Sequence, residues 1–469
     1  MVRFLDGANR LVWGVPALVL ILGVGLLFSL KLGFPQIRML PRAGKLFLTK
    51  LAGKKDDSQV SPFQALCTAL AATVGTGNLV GVAGAIALGG PGSIFWMWIS
   101  AVLGMVTKYA EATLAVHFRT LENGVPAAGP MYMIRNGLPE KWHFLGWIYS
   151  FLGVWAAFGV GNATQINAVI SGAARLAEYF GGSLTRMGAL AIGIALALII
   201  GFVMLGGAKR IATAAEILIP FVSSGYIVLC LYAIFSRLDA LPAAFGAIFR
   251  GAFSPQAVTG GVIGSAFSSL RVGISRGVFT NEAGMGTASI AHGCAGVEHP
   301  CEQGLMGIME VFLDTVVICT LTALVILTSG AAVPYGQDVG AQLTFDAFSR
   351  VCGDGVTVFL AFCVCCFAFA TVLGWGLYGV RCAGFLLGPG SFRCFALAQS
   401  AMVVLGAVLD NRTAWSLAEL LNGLMAIPNL IALVLLLPVL KKLTKEYDRK
   451  CGKHAAGGTN ENIHQCKPL

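Results

Sequence analysis

Long apolar runs recur along almost the whole chain and are separated by short polar or basic stretches. Each run has about the 20 residues that an α-helix needs to cross a bilayer, where it must satisfy its own backbone hydrogen bonds. The pattern predicts about eleven membrane-spanning helices, at 11–32, 62–88, 92–118, 145–176, 187–206, 211–236, 259–291, 303–330, 355–386, 392–409 and 414–440. We therefore expect an all-α integral membrane protein.

Two of the predicted spans are interrupted by glycines and polar residues near their middle. The second contains Gly75-Thr76-Gly77-Asn78, and the seventh contains Gly273, Gly277, Gly284 and Gly286. Irregular backbone at membrane depth is tolerated only where it is buried in protein or lines a cavity, and transporters place substrate sites at such breaks. The alternative is close helix packing, because Gly77 and Gly81 form a GxxxG pair, but packing alone does not require Asn78.

The position of the two interruptions suggests an internal symmetry. Each interrupted span begins a group of five, and because five is odd the two groups must have opposite orientations in the membrane. This predicts an inverted repeat, with one unit at 62–236 and the other at 237–440. An extra N-terminal helix and a basic connector then occupy 1–61, and a basic tail occupies 441–469.

Composition and charge agree with a membrane protein and give it an orientation. With 57% apolar residues, 12% charged residues and a mean hydropathy of +0.79, the chain is not a soluble globular protein. Lysine and arginine concentrate in the connector and the tail, which predicts an N-terminus outside and a C-terminus in the cytoplasm. The net charge of +10 follows from this bias and suits the lipid bilayer, so it does not indicate nucleic acid. The thirteen cysteines show no metal-ligand spacing.

Several motifs occur in an order that resembles a known family. They are AATVGTGNLVGVA at 71–83, GGPGSIFWMW at 89–98, GPMYM at 129–133, RGVFTNEAGMG at 276–286 and LGW at 373–375. Together they resemble the alanine or glycine:cation symporters, sodium-coupled carriers of small neutral amino acids. The resemblance covers most of the chain. It implies a five-plus-five inverted repeat of the leucine-transporter type, which agrees with the spans predicted above.

A zwitterionic amino acid would need hydrogen-bond donors for its carboxylate and acceptors for its ammonium group. The backbone N–H groups around 75–78 and the Asn78 amide are candidate donors, and unwound carbonyls around 273–276 are candidate acceptors. Gln165 resembles a substrate-contacting glutamine of the family, although an interhelical hydrogen bond is the alternative. Trp375 is a candidate to close the pocket, or a packing residue. The predicted substrate-binding set is Thr73, Gly75, Thr76, Gly77, Asn78, Gln165, Gly273, Ile274, Ser275, Arg276 and Trp375.

The resemblance also implies a sodium ion, as the coupling ion rather than a prosthetic cofactor. Its site would lie between second-span carbonyls near 72–75 and hydroxyl groups of the ninth span. The predicted ligands are Ala72, Thr73, Gly75 and Thr371. Relatives usually carry two adjacent hydroxyl residues at the last position, but this chain has Ala370-Thr371, so one expected ligand is missing.

Ionisable residues within the spans are functional hypotheses by default. Asp314 resembles a family feature, and Glu310 lies one helical turn before it. Two carboxylates at this spacing repel unless one is protonated, which would suit a proton-coupled step. Alternatively, they face the cytoplasmic half of the helix or pair with Arg271 or Arg276. The expected function is import of alanine, glycine or D-alanine with sodium across a bacterial or archaeal cell membrane. The alternative is a proton-coupled carrier of the same fold.

Two other classes of membrane protein fit the sequence less well. An enzyme would need clustered histidine and acidic residues at one membrane face, or a nucleophile beside a base, and neither pattern is visible. A channel would need rings of charge or repeated filter segments, which are also not visible. The sequence therefore favours a carrier over an enzyme or a channel.

Overall fold

The computed structural model describes residues 7–9, 11–51, 60–122, 124–254, 256–260, 266–337, 339–408 and 411–456. Within these residues the regular secondary structure is helical, apart from an isolated bridge between Val60 and Ala295 and one small β-hairpin, in which β1 (Thr120–Glu122) pairs antiparallel with β2 (Val125–Ala127). The α-helices are α1 Val15–Leu32, α2 Pro35–Arg38, α3 Leu40–Leu51, α4 Pro62–Thr73, α5 Val82–Gly89, α6 Ser93–His117, α7 Pro130–Gly137, α8 Phe144–Phe158, α9 Thr164–Tyr179, α10 Arg186–Leu205, α11 Gly207–Phe235, α12 Leu241–Phe253, α13 Gln256–Thr259, α14 Ala266–Asn281, α15 Thr287–His292, α16 Pro300–Val311, α17 Thr320–Thr328, α18 Gln342–Cys352, α19 Val356–Leu387, α20 Phe392–Gly406, α21 Asn411–Leu435 and α22 Leu437–Ala456.

Many of these helices are long and apolar enough to span a membrane. Within the described ranges there are six such helices, or eight if each of two bent pairs counts as one span. One bent pair is the second predicted span, with 49° between its halves, and the other joins α21 to α22 at 62°. Every predicted span contains a helix, although 261–265 of the seventh lies outside the described residues. The count of eleven crossings and the inverted repeat stay predictions.

The predicted polar ends of the chain contain helices as well. The connector at 33–61 includes α2 and α3, and α3 packs against α16. The predicted tail is helical as far as Ala456, because α22 extends across its first part. The rest of the predicted connector and tail, at 52–59 and 457–469, lies outside the described residues.

The break in the second span has a clear local origin. Helix α4 begins with a capping box, in which Ser61 and Gln64 satisfy each other's backbone N–H groups. It ends at Thr73, and Val74 takes an extended conformation with φ −76° and ψ 94°. A π-helical turn, Gly77–Gly81, then leads into α5. The fourth and eighth spans carry π-helical turns too, at Gly159–Ala163 and Phe312–Cys319, and such turns are frequent at functional sites.

The seventh span is also broken, but not where the sequence suggested. Helix α14 continues unbroken through 273–276, and the irregular segment lies at 282–286, between α14 and α15. The expectation of unwound carbonyls at 273–276 was therefore wrong. The glycines there serve close packing instead, because a Cβ on Gly273 would collide with the Ser93 carbonyl and one on Gly277 would lie 3.0 Å from the Ser100 side chain.

Helix packing brings the broken spans together. Helix α6 of the third span packs against both α14 and α16. Helix α19 of the ninth span packs against α8 and α9 of the fourth span and against α4 of the second. The polar residues of these six predicted spans are thereby brought together inside the helical bundle.

Candidate functional site

The break in the second span is held by a side chain of its own turn and contacts the ninth span. The Gly75 N–H donates to Asn78 Oδ1 at 2.9 Å, and Thr371 Oγ1 donates to the Ala71 carbonyl at 2.9 Å. A Cβ built on Gly75 would lie 2.6 Å from Thr371 Oγ1 and 3.7 Å from Gln165 Oε1. Glycine at this position therefore lets the second, fourth and ninth spans meet at one point.

Gln165 and Thr76 connect the fourth span to this break. Thr76 Oγ1 donates to Gln165 Oε1 at 3.1 Å, and Gln165 Nε2 donates to the Val160 carbonyl at 3.2 Å. Both side chains are buried. The contact shows that Gln165 makes an interhelical hydrogen bond, and it also places the Gln165 amide beside the break, as its predicted role in substrate contact requires.

The Asn78 amide connects the second span to the eighth. Asn78 Nδ2 donates to Asp314 Oδ1 at 2.8 Å, while Asp314 Oδ2 accepts from Thr315 Oγ1 at 2.7 Å. Asn281, the last residue of α14, donates to Thr315 Oγ1 at 3.2 Å. Asp314 thus ties the two broken helices together. Because both ends of the Asn78 side chain are already bonded within the protein, a direct contact with substrate would require this network to rearrange.

The break in the seventh span is stabilised by Glu111 of the third span. Glu282 begins it with a φ of 54°, which is unusual for a residue other than glycine. Glu111 Oε1 accepts hydrogen bonds from the N–H groups of Gly284 and Gly286, each at 3.0 Å, and from Asn429 Nδ2 at 2.7 Å. The carboxylate thus supplies an acceptor for backbone donors that no helix satisfies.

We expect Glu111→Ala to destabilise the folded protein by roughly 2–3 kcal/mol, because it leaves buried N–H groups without an acceptor. Thermal unfolding of the purified protein would measure the loss. Glu111→Gln is the matched control, since its amide oxygen can still accept these hydrogen bonds. Equal melting temperatures for Glu111→Ala and the parent would contradict this role.

Trp375 of the ninth span is fully buried against both the fourth and the seventh spans. Its Nε1 donates to Glu282 Oε1 at 2.9 Å, and Glu282 Oε2 accepts from Thr287 Oγ1 at 2.6 Å. A Cβ on Gly161 would collide with the Trp375 side chain, so that glycine allows the indole to approach. The structure thus joins Trp375 to the seventh-span break, a contact that the sequence did not reveal.

The predicted residues at 273–276 lie within α14, before its broken C-terminal end at Asn281. Ile274 is fully buried, and Ser275 is partly exposed. Arg276 Nη1 pairs with Glu419 Oε1 of α21 at 2.9 Å. The sequence offered Arg276 as a partner for Glu310 or Asp314, and the structure contradicts that pairing.

A second buried polar cluster lies between the third, seventh and eighth spans. Lys108 Nζ pairs with Glu310 Oε1 at 3.2 Å, and His292 Nε2 lies 2.7 Å from Glu310 Oε2. Gln303 Nε2 lies 2.7 Å from His292 Nδ1. All four side chains are fully buried. Sequence reasoning missed Lys108 because a lysine near the middle of an apolar run has no visible partner until the helices pack.

The predicted sodium ligands lie close together at the second-span break. Gly374, one turn beyond Thr371, packs against Ala72, with a Cβ on Gly374 3.1 Å from the Ala72 backbone nitrogen. Thr73 Oγ1 donates to the Ala69 carbonyl at 3.2 Å. Carbonyl and hydroxyl oxygens are the ligands that a hard cation prefers, so the residues present fit a sodium ion. The ligand assignment itself stays a prediction.

Comparisons with known proteins agree with this architecture. The profile of the sodium:alanine symporter family matches residues 1–461. The chain is 44% identical over 455 residues to the "Sodium/alanine symporter AgcS" of Methanococcus maripaludis, covering 95% of this chain and 97% of that protein. It is 38% identical to the "Probable sodium/glutamine symporter GlnT" of Bacillus subtilis, covering 95% and 91%.

A solved structure whose sequence differs widely from this chain also supports the fold. The crystal structure of MhsT in complex with L-phenylalanine matches with a TM-score of 0.60 and 14% identity, covering 81% of this chain and 90% of that one. The match shows a fold of the leucine-transporter type. The chain is a multi-pass membrane protein, and it belongs to the sodium:alanine symporter family, a family of transporters rather than of enzymes.

Proposed function

We propose that the protein imports small neutral amino acids, namely alanine, glycine and D-alanine, together with sodium. The observation that carries this proposal is the meeting of Gly75, Gln165 and Thr371 at the broken second span. Backbone N–H groups of the break, the Gln165 amide and the Thr371 hydroxyl thus lie together inside the protein. The names of the relatives AgcS and GlnT, which mention sodium with alanine or glutamine, support the same class of substrate.

Helix dipoles would orient the amino acid. The second half of the second span begins at Gly77, and its positive N-terminal end would face the substrate carboxylate, with the Thr76 hydroxyl and the Gln165 amide beside it. The C-terminal end of α14 lies against this segment, because a Cβ on Gly77 would be 3.6 Å from the Thr280 Cα. Its negative end would face the substrate ammonium. We therefore place the acceptors at this helix end rather than at 273–276.

The sodium ion would bind next to the substrate. We assign it to the carbonyl groups of Ala72, Thr73 and Gly75 and to the Thr371 hydroxyl. The positive charge of the sodium ion would offset part of the negative potential of these oxygens. The sodium gradient would drive uptake of the amino acid. We further propose that 62–236 and 237–440 form inverted repeats. The protein would lie in a bacterial or archaeal cell membrane with its N-terminus outside.

Uptake by proteoliposomes tests this function. Labelled alanine should accumulate when an inward sodium gradient is imposed, with saturation and a substrate-dependent current. Unlabelled glycine and D-alanine should compete. Absence of sodium-stimulated alanine uptake by correctly folded protein would refute the proposal. A proton-coupled carrier of the same fold is the second candidate, favoured by the buried cluster around Glu310, and uptake driven by a pH gradient without sodium would support it instead.

A matched pair of glycine variants tests the location of the site. We expect Gly75→Ala to reduce substrate binding by roughly tenfold or more, because its methyl group would occupy part of the proposed site, 2.6 Å from Thr371 Oγ1 and 3.7 Å from Gln165 Oε1. Gly84→Ala, farther along the same span, should bind nearly as the parent does, since no atom lies within 4 Å of a Cβ built there. Binding of labelled alanine to purified protein measures both. Parental affinity in Gly75→Ala would exclude this site.

A further inference from the structure

A cavity of about 310 Å³ lies at the end of the molecule that we place in the cytoplasm. It is enclosed by the β-hairpin, α7, the junction of α10 with α11, the C-terminal part of α19 and the start of α20. Its lining includes Tyr132, Gly207, Val380, Arg381, Gly384 and Ser391. Ligand pockets run from roughly 300 to 1,000 Å³, so this volume suits a lipid headgroup or a small anion rather than a whole lipid.

The cavity lies on a different face of α19 from the substrate site. Thr371 contacts the second-span break, whereas a Cβ on Gly376 would lie 2.8 Å from Met204 Cε of α10. Val380 and Gly384 follow Gly376 at intervals of one helical turn, so they share its face towards α10. Large apolar side chains at the ends of the surrounding elements are exposed, namely Leu121, Phe202, Leu205 and Leu387. The cavity is therefore at the lipid-facing periphery and not on the substrate path.

An arginine that lines the cavity has no partner in the protein. Arg381 Nε is buried without a hydrogen-bond partner, and among the described residues no carboxylate lies within ion-pair distance of this guanidinium group. Glu122, which also lines the cavity, lies 3.9 Å from Arg135 instead. The hydroxyl of the buried Tyr132 makes no hydrogen bond either. Unsatisfied polar groups of this kind are uncommon in folded proteins, and an anion in the cavity would satisfy them.

Two helix N-termini add positive potential at the same place. Gly207 is the first residue of α11, and Ser391 immediately precedes α20, and both line the cavity. The first N–H groups of a helix have no acceptor within that helix and carry a partial positive charge. Phosphate groups bind at such ends. Together with the unpaired Arg381, they form a site whose charge suits a phosphate group.

We propose that this cavity binds the headgroup of an anionic phospholipid, phosphatidylglycerol, from the cytoplasmic leaflet. The phosphate would accept hydrogen bonds from Arg381 and from the N-terminus of α20, and the glycerol hydroxyls would donate to Glu122. The acyl chains would cover the exposed apolar side chains at the ends of α10 and α19, which a free phosphate leaves uncovered. The inference does not depend on which amino acid or ion the protein carries.

Native mass spectrometry of the purified full-length protein tests the proposal, with phosphatidylglycerol and phosphatidylethanolamine added in equal amounts. The parent should bind its first phosphatidylglycerol roughly tenfold more tightly than phosphatidylethanolamine, and Arg381→Gln should reduce this preference to about twofold or less, because it removes the cation that faces the phosphate. Arg393→Gln is the matched control, since Arg393 is exposed near the start of α20 and does not line the cavity. An unchanged preference in Arg381→Gln would overturn the proposal, and so would an equal loss in Arg393→Gln.

A second variant keeps the charge and fills the space. No atom lies within 4 Å of a Cβ built on Gly384, so a larger side chain can enter the cavity there without a clash at its Cβ. We expect Gly384→Leu to lose the preference for phosphatidylglycerol as Arg381→Gln does. Its melting temperature without added lipid should be no lower than the parent's, since leucine favours a helix more than glycine does. A preference retained by Gly384→Leu would exclude this cavity as the lipid site.

Thermal unfolding in detergent distinguishes a lipid from a soluble anion. Added phosphatidylglycerol should raise the melting temperature of the parent by several degrees but not that of Arg381→Gln, because a ligand that binds only the folded state stabilises it. Inorganic phosphate and glycerol phosphate, at the same total concentration, should leave both unchanged. An equal rise with either soluble anion, again lost in Arg381→Gln, would make the cavity a site for free phosphate and overturn the lipid assignment.

Discussion

Thr371→Val is expected to raise the sodium concentration for half-maximal uptake by roughly tenfold to a hundredfold, corresponding to the loss of one polar contact of about 1.5–3 kcal/mol. The reason lies in the adjacent position. The family resemblance implies two neighbouring hydroxyl residues there, whereas this chain has Ala370 and Thr371, so a single side-chain hydroxyl of that pair is available. Thr371 Oγ1 already lies 2.9 Å from the Ala71 carbonyl, at the second-span break. Sodium titration of alanine uptake measures the change.

Two variants show whether the hydroxyl itself matters. Thr371→Ser keeps the oxygen and should titrate close to the parent, whereas Ala370→Ser restores the pair and should lower the sodium requirement. The apparent affinity for alanine at saturating sodium should change little in all three. If Thr371→Val responds to sodium as the parent does and accumulates alanine under a pH gradient, the coupling ion is a proton, and the cluster around Glu310 becomes its binding site.

Lys108→Met is expected to destabilise the folded protein by roughly 3–5 kcal/mol, because removing one member of a buried ion pair leaves the other uncompensated. Lys108 Nζ lies 3.2 Å from Glu310 Oε1, and both side chains are fully buried. Met keeps most of the length of the lysine side chain, so the loss of charge dominates over a loss of packing. Unfolding of the purified protein in detergent, followed by temperature or denaturant, measures the effect.

The double variant Lys108→Met/Glu310→Leu is the decisive comparison. Removing both charges should recover much of the lost stability, since neither is then left unpaired. The surface pair Arg175–Asp346, at 2.7 Å, provides the control, and Arg175→Ala should cost about 1 kcal/mol or less because exposed ion pairs contribute little. If Lys108→Met is no less stable than Arg175→Ala, the buried pair has no structural role.

Much of the site could be predicted from local sequence. The glycines and polar residues at 75–78 indicated a break in the second span, and the structure has one there. Thr76 was selected from the second-span motif, whereas Gln165 and Thr371 were selected from the family resemblance, and the structure brings all three together. In the seventh span the same reasoning failed, because Gly273 and Gly277 could equally mark a break or a close helix contact. Composition does not distinguish these possibilities, and the neighbouring helix α6 decides between them.

The sequence by itself determined that the chain is a helical membrane protein, which family it resembles and roughly where its helices run, because these follow from the length and order of apolar runs and from local motifs. Only the tertiary structure decided how the buried charges pair. Glu111 and Asn429 are separated by 318 positions, and Asn78 and Asp314 by 236, yet each pair forms a hydrogen bond. Long-range pairing depends on which helix faces pack together, and the spacing of residues along one helix carries no information about that.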